Sequence, residues 1–360
     1  MEADASPTIR SKPQVSLEAW GTLDQAEISR MILAEEYKPH PAFETWTKMK
    51  LPYQAPSCPP LPSWLQIRQA TKTDNLHHNC MGSANEAETL LFLAENCPQL
   101  RIPTVLAVWT VEIQEGTCFC MMTKYIEGIR LELESEAFAR FPIETQNVLC
   151  RKISEQIQQI RALPSEGYYG RVHRQGWLDP PNGVDIPDRA SVCKNVTGPY
   201  SSYKEYISAT KLAMEIALAT RDQGEEFRPE TVSNAEKFLR ILPDWHPHEP
   251  KFTWMDPKLS NMIIRPIKGD DGKEDWEVYF LDWECSGWYP GWVQSFQIRG
   301  RVGVMLRDRT KPPYDAAGKW YPAYMYERND AIRDEILKGF EPNPRKDIWD
   351  LTYHLTWTMY

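Results

Sequence analysis

The sequence predicts an α+β protein in two parts: a small sheet carrying one helix, then a larger and mainly helical region interrupted by a β-hairpin. Three observations carry this. Apolar alternation at Thr104–Trp109 and Cys118–Thr123 follows a helical stretch that opens at Ser83. After Gly128 the apolar residues recur at helical spacing, as in Val148, Leu149, Ile153, Ile157 and Ile160. Late in the chain, Asn261–Pro266 and Trp276–Asp282 flank Lys268-Gly-Asp-Asp-Gly272, a strong turn signal.

Taken in order, residues 1–16 are polar and read as frayed. Leu23, Ala26, Ile28, Met31 and Ile32 predict a helix over about 22–37. Residues 51–63 hold prolines 52, 56, 59, 60 and 62 and read as an irregular linker. Trp64–Arg68 reads as a strand, followed by a polar insert over 69–82 that contains His77-His78. On a polar insert those histidines read as a solvated loop rather than a metal site. Ser83-Ala-Asn-Glu86 is a capping box opening a helix to about Ala94. Residues 170–199 read as loop, Ser202-x-x-Glu205 opens a second long helix, and a third starts near Pro229. The stretch 291–360 reads as mixed helix and loop. The expected boundaries are 1–63 for an extension and linker, 64–128 for the small sheet region, and 129–360 for the helical part.

Composition narrows the function. The chain has 360 residues, 42% hydrophobic and 25% charged, an ordinary globular mix. A balance of 41 basic and 50 acidic residues, net −9, argues against nucleic acid or an anionic membrane as the main partner. The eight cysteines show no CxxC pair, which points to reduced thiols and a cytoplasmic setting. The first residues lack a signal-peptide pattern, no apolar run approaches a membrane span, and the Asn195-Val-Thr197 sequon then carries no meaning.

The chemistry sits in two short runs, Asp256-Pro-Lys-Leu-Ser-Asn261 and Phe280-Leu-Asp282-Trp-Glu284. An Asp, an Asn five positions on, and an Asp ending an apolar strand is the order in which kinases place a base and two magnesium ligands. In an antiparallel hairpin the start of one strand lies beside the end of the next, so Asn261 and Asp282 should converge, with Asp256 alongside. Magnesium takes hard oxygen ligands and keeps waters, so two protein ligands plus phosphate oxygens suffice. Asp, Pro, Ser and Asn also favour turns. The hairpin and the second Asp set the catalytic reading above that plainer one.

These runs resemble the aminoglycoside phosphotransferase/choline kinase-like family, small-molecule relatives of protein kinases, and most of all its divergent fungal-type members. The family's H-G-D-x-x-x-x-N is matched by Trp254-Met-Asp256-Pro-Lys-Leu-Ser-Asn261, and its I-D-W-E-x-A-G-x-x-P by Leu281-Asp-Trp-Glu-Cys-Ser-Gly-Trp-Tyr-Pro290. Asn85–Leu93 resembles its Glu-bearing helix, Pro103–Leu106 its strand entry, Met121–Gly128 its hinge, and Gly198–Ser202 an element before a helix. The resemblance covers about 64–292. It implies a protein-kinase-like bilobal fold with a reduced β-rich N-lobe and a larger helical C-lobe. It also implies ATP and Mg²⁺ as cofactors and a small-molecule alcohol as acceptor.

By position, Asp256 would be the catalytic base, and Asn261 and Asp282 the metal ligands. Glu86 would pair with a strand cation, here Arg68 where the family has Lys, with Lys72 as the fallback. Glu86 also completes the capping box, and both readings stand. Main-chain groups at Lys124, Tyr125 and Ile126 would bind adenine. Glu284 could reach a second metal, the substrate, or a structural hydrogen bond. Three departures mark the match. Arg68 is bulkier than Lys, Trp254 replaces a structural His, and Gly21 is the only glycine before Gly82, so no Gly-rich loop precedes Arg68. They raise an alternative, a catalytically impaired pseudokinase serving as a ligand-binding or scaffolding module.

Overall fold

A computed structural model describes residues 7–36, 49–69, 76–78, 82–113, 116–131, 137–177, 198–221, 226–269, 272, 274–302 and 326–340. Residues 7–16, expected to fray, are folded, while residues 1–6 lie outside the described residues. Ser11-Lys-Pro-Gln14 is a complete capping box: Ser11 Oγ accepts the Gln14 amide, and Gln14 Oε1 accepts the Ser11 amide. With proline in the first turn and Gly21 at φ 73° ending it, helix α1 (Lys12–Trp20) forms. Its Val15, with Ile9 before it, is buried against a later helix. Helix α2 (Gln25–Glu36) falls where expected.

The Pro-rich stretch is not wholly irregular, because Tyr53–Gln54 forms a short strand, β1. The strand expected at Trp64–Arg68 is instead helix α3 (Trp64–Gln69). Its cause is local: Ser63 and Gln66 form a second capping box, with Ser63 Oγ accepting the Gln66 amide and Gln66 Oε1 accepting the Ser63 amide at 2.8 Å. Arg68 therefore rides on a helix. The direction of its side chain lies outside the described residues, as do Lys72, the His77-His78 side chains and the Asn195 sequon.

Strands β2 (Leu76–His78), β3 (Val105–Ile113) and β4 (Gly116–Thr123) join β1 in an antiparallel sheet of order β1-β3-β4-β2. Helix α4 (Gly82–Asn96) packs on β3 and β4. It starts one residue before Ser83, so the capping box expected there does not set its end. After β4, β5 (Ile129–Arg130) is followed by α5 (Ala137–Arg140), α6 (Ile143–Arg161), α7 (Tyr203–Arg221) and α8 (Pro229–Ile241). At the start of α7 the Glu205 amide donates to Ser202 Oγ at 3.2 Å, as the cap signal predicted.

The predicted hairpin is present as β7 (Met262–Lys268) and β8 (Glu274–Phe280), with Met262 opposite Phe280. Strand β5 adds to its edge through Ile129 opposite Ile264. At that approach Gly128 is obligatory, since a Cβ there would stand 2.6 Å from the Ile264 carbonyl oxygen. A sheet not foreseen pairs β6 (Pro250–Thr253) with β9 (Gly287–Pro290). Helices α9 (Val293–Arg301) and α10 (Tyr326–Ile336) follow, with α10 packed on α6.

The protein is thus mixed α+β with small antiparallel sheets. One hydrophobic core joins Leu90 and Leu93 of α4, Val108 of β3, Ile153 and Ile157 of α6, and Trp254, Phe280 and Trp283. Each such buried side chain contributes about 1.5–3 kcal/mol, so α4 is fixed on both the sheet and the helical part. Among the described residues no helix is long and apolar enough to cross a membrane.

Candidate active site

Trp254, the first residue after β6, is fully buried and stacks on Phe280, rings 4.2 Å apart and 9° from parallel. Its main chain is gripped by one amide: Gln294 Oε1 accepts the Trp254 N–H at 2.9 Å, and Gln294 Nε2 donates to the Trp254 carbonyl at 3.0 Å. Its indole Nε1–H donates to the carbonyls of Leu281 and Asp282, at 3.0 and 3.1 Å. This Trp thereby ties the two runs together.

From Trp254 the chain turns through Asp256. The Lys258 amide donates to the Asp256 carbonyl, the Asn261 amide to the Lys258 carbonyl, and Leu259 is anchored in the core. At the other end of the hairpin the Leu281 amide donates to the Asn261 carbonyl at 2.9 Å, which fixes the register next to Asp282. Asp282 sits at φ 62°, in the left-handed region, where the short Asp side chain is tolerated better than most.

The three predicted residues meet. Asn261 Nδ2 donates to Asp256 Oδ2 at 2.9 Å and to Asp282 Oδ2 at 3.2 Å. Two cations missed in the sequence flank Asp256: Lys258 Nζ lies 3.0 Å from its Oδ2, and Arg301 Nη1 lies 2.6 Å from its Oδ1. Lys258 lies inside the motif and was open to notice. Arg301 is 45 residues away with no local signal. Arg130 Nε also donates to the Ser260 carbonyl at 2.8 Å, linking β5 to this loop.

Glu86 reaches the same point from α4. Its carboxylate accepts the backbone N–H of Trp283 at 3.3 Å, a contact with the loop after Asp282 that neither reading of Glu86 had included. Burial, then Asp282 and Glu284, push the Glu86 carboxyl up to about 7, against the pull of the Trp283 amide. Burial, then Asp256, raise Asp282, against Lys258, Asn261 and Arg301. This crowding of acids makes a measurable prediction. A carboxyl raised in the folded state binds protons that the unfolded chain has released, so its stabilising contribution is full below about 4.5 and fades up to about 7. Folding stability should fall by up to about 3 kcal/mol across that window, and Glu86→Gln should flatten the slope in denaturation series run at stepped pH. An unchanged slope would remove Glu86 as its source.

The donor set suits magnesium. Two carboxylates and a carboxamide offer hard oxygens, and a half-turn of the Asn261 amide presents Oδ1 where Nδ2 now points. Among the described residues no group of three or more His, Cys, Asp and Glu surrounds a common point.

Behind Glu86, the same helix is held by a buried ion pair. Glu88 Oε2 accepts from Arg171 Nη2 at 3.1 Å and from Gln175 Nε2 at 2.7 Å, and both charged side chains are about 3% exposed or less. Burial pulls the Arg171 guanidinium down to about 10 despite the opposing effect of Glu88. By contrast, Lys124 and Tyr125 are exposed and Ile126 is part-buried. The Lys124 amide donates to the Thr104 carbonyl at 2.8 Å, and among the described residues no hydrogen bond links the three to the Asp256 cluster.

Compared with known proteins, the chain matches no family model and no curated sequence.

Proposed function

We propose that the protein is an ATP-dependent phosphotransferase acting on a small-molecule hydroxyl in a protein-kinase-like bilobal cleft. The observation that carries the reading is the convergence of Asp256, Asn261 and Asp282 through one amide nitrogen. Asp256 orients the acceptor hydroxyl and takes its proton. Asn261 and Asp282 hold Mg²⁺. Bound Mg²⁺-ATP supplies the phosphoryl group and neutralises the charge that builds up as it moves. Trp254 keeps the Asp282 backbone in place, and Glu86 steadies the next peptide through the Trp283 amide. Lys258 stands on the Asn261 side of Asp256, suited to the negative charge of the transferred group. Adenine is expected at the main chain of Lys124–Ile126, next to the Gly128 approach to β7.

One observation favours the pseudokinase reading: the segment carrying Arg68 is a helix, so the strand cation expected to grip the triphosphate is not in its usual setting. A single measurement separates the two. A ligand that binds the folded chain alone stabilises it by about 2.7 kcal/mol at a hundredfold excess over its dissociation constant. Millimolar ATP with Mg²⁺ should therefore raise the melting temperature, and Asp282→Asn should abolish the rise. No shift in the wild type would sink the phosphotransferase reading.

A further inference from the structure

The carboxylate of Asp256 has two unlike sides. Oδ2 faces Asn261 and Asp282, since the Asn261 amide nitrogen bridges Asp256 Oδ2 and Asp282 Oδ2, and Lys258 joins on that side. Oδ1 holds Arg301. If Oδ2 marks the metal and phosphate side, Oδ1 marks the side from which an acceptor hydroxyl arrives. What it meets there is a guanidinium fixed in place: Arg301 Nε donates to Gln297 Oε1 at 2.8 Å, one turn back on α9, and Gln297 is itself buried. The Arg301 and Asp256 side chains are 20% and 19% exposed, so the pair can be reached from solvent.

We propose that Arg301 selects the acceptor: the alcohol carries an oxyanion, a carboxylate or a phosphate, that draws the guanidinium from Asp256 Oδ1 as its hydroxyl reaches that oxygen. This rests on the phosphotransferase reading and adds the substrate class to it. A cationic alcohol brought to Oδ1 meets a like charge at contact distance and takes Asp256 from Arg301 without offering it a negative charge. An oxyanion replaces the lost partner, and the planar fork of arginine matches a carboxylate or phosphate with two parallel bonds. In the transfer, the acceptor O–H bond breaks and its proton passes to Asp256 Oδ1. The acceptor oxygen bonds to the γ-phosphorus as the bond from that phosphorus to the β,γ-bridging oxygen breaks, and ADP leaves with that electron pair.

The test uses the full chain with Mg²⁺-ATP and four small alcohols: glycerate, glycerol phosphate, glycerol and choline. ADP release is expected to be faster with an oxyanion-bearing alcohol than with glycerol or choline by about 10- to 100-fold, the worth of a charge-assisted contact. The carboxylate and phosphate arms identify which oxyanion is read. Arg301→Gln should erase that preference and Arg301→Lys should keep part of it, while both retain the melting-temperature rise with Mg²⁺-ATP. A residue that merely held Asp256 in place would, on replacement, slow all four alcohols alike, and that result overturns the proposal. So does turnover of glycerol or choline at the rate of the acids, or no response to either acid. Absence of Mg²⁺-ATP stabilisation in the wild type overturns the phosphotransferase reading and this inference with it. Stabilisation without acid preference overturns this inference alone.

Discussion

Asp256→Asn is expected to cut phosphoryl transfer by about 10²–10⁴-fold, the usual worth of a positioned base, while the Mg²⁺-ATP stabilisation survives. The amide has the shape of the carboxylate but a single acceptor oxygen, so it keeps one of the two contacts made by Arg301 and Lys258, which lie 2.6 and 3.0 Å from the two carboxylate oxygens. What it loses is the ability to take a proton. Asn261 and Asp282 stay joined to the hairpin by the Leu281 amide and the Trp254 indole, so the metal side of the site is not dismantled. The check pairs ADP release, measured with the alcohol the wild type turns over fastest, against the thermal shift with Mg²⁺-ATP. Unchanged turnover would take the proton-accepting role away from Asp256. Joint loss of turnover and stabilisation would make it a structural residue.

The second large effect is on stability. Arg171→Met should cost about 3–5 kcal/mol, because the buried Glu88 carboxylate then loses its cation. Replacing both residues by apolar ones should recover most of that loss, since two charges no longer need to be kept out of water together. The damage should reach the active site, as Glu86 and Glu88 share α4 and the Glu86 bond to the Trp283 amide depends on where that helix sits. Urea denaturation of the two single variants and the double variant gives the coupling directly. A loss under about 1 kcal/mol for the single change would mean that Glu88 neutralises or finds solvent, and that the apolar packing of Leu90 and Leu93 holds α4 without the ion pair.

The parts of the site that the chain order encodes were legible in the sequence. A Gly-bearing turn over 268–272 sets the hairpin, the hairpin sets Met262 against Phe280, and that register puts Asn261 beside Asp282. The rest depends on partners far apart in the chain. Arg171 meets Glu88 across 83 residues and Arg301 meets Asp256 across 45, and no local pattern marks either. At Trp64–Arg68 the local signals conflicted. Apolar alternation suggested a strand, while Ser63-x-x-Gln66 was a helix start, and the cap prevailed because it satisfies amides that would otherwise lack partners. At Ser11-x-x-Gln14 the same motif starts a helix within a polar stretch that shows little apolar periodicity. At Ser83-x-x-Glu86 the helix begins at Gly82, and Glu86 accepts from the distant Trp283 amide.

The first helix has a consequence in time. Arg10 donates to Glu215, a carboxylate 1% exposed and 205 residues further on. During synthesis at about 5–20 residues per second, α1 leaves the ribosome roughly 10–40 s before its partner exists. Its apolar side, Val15 with the neighbouring Ile9, must wait uncovered for that interval. A helix made early is therefore placed only once residue 215 has been added, and its burial waits on a partner far along the chain.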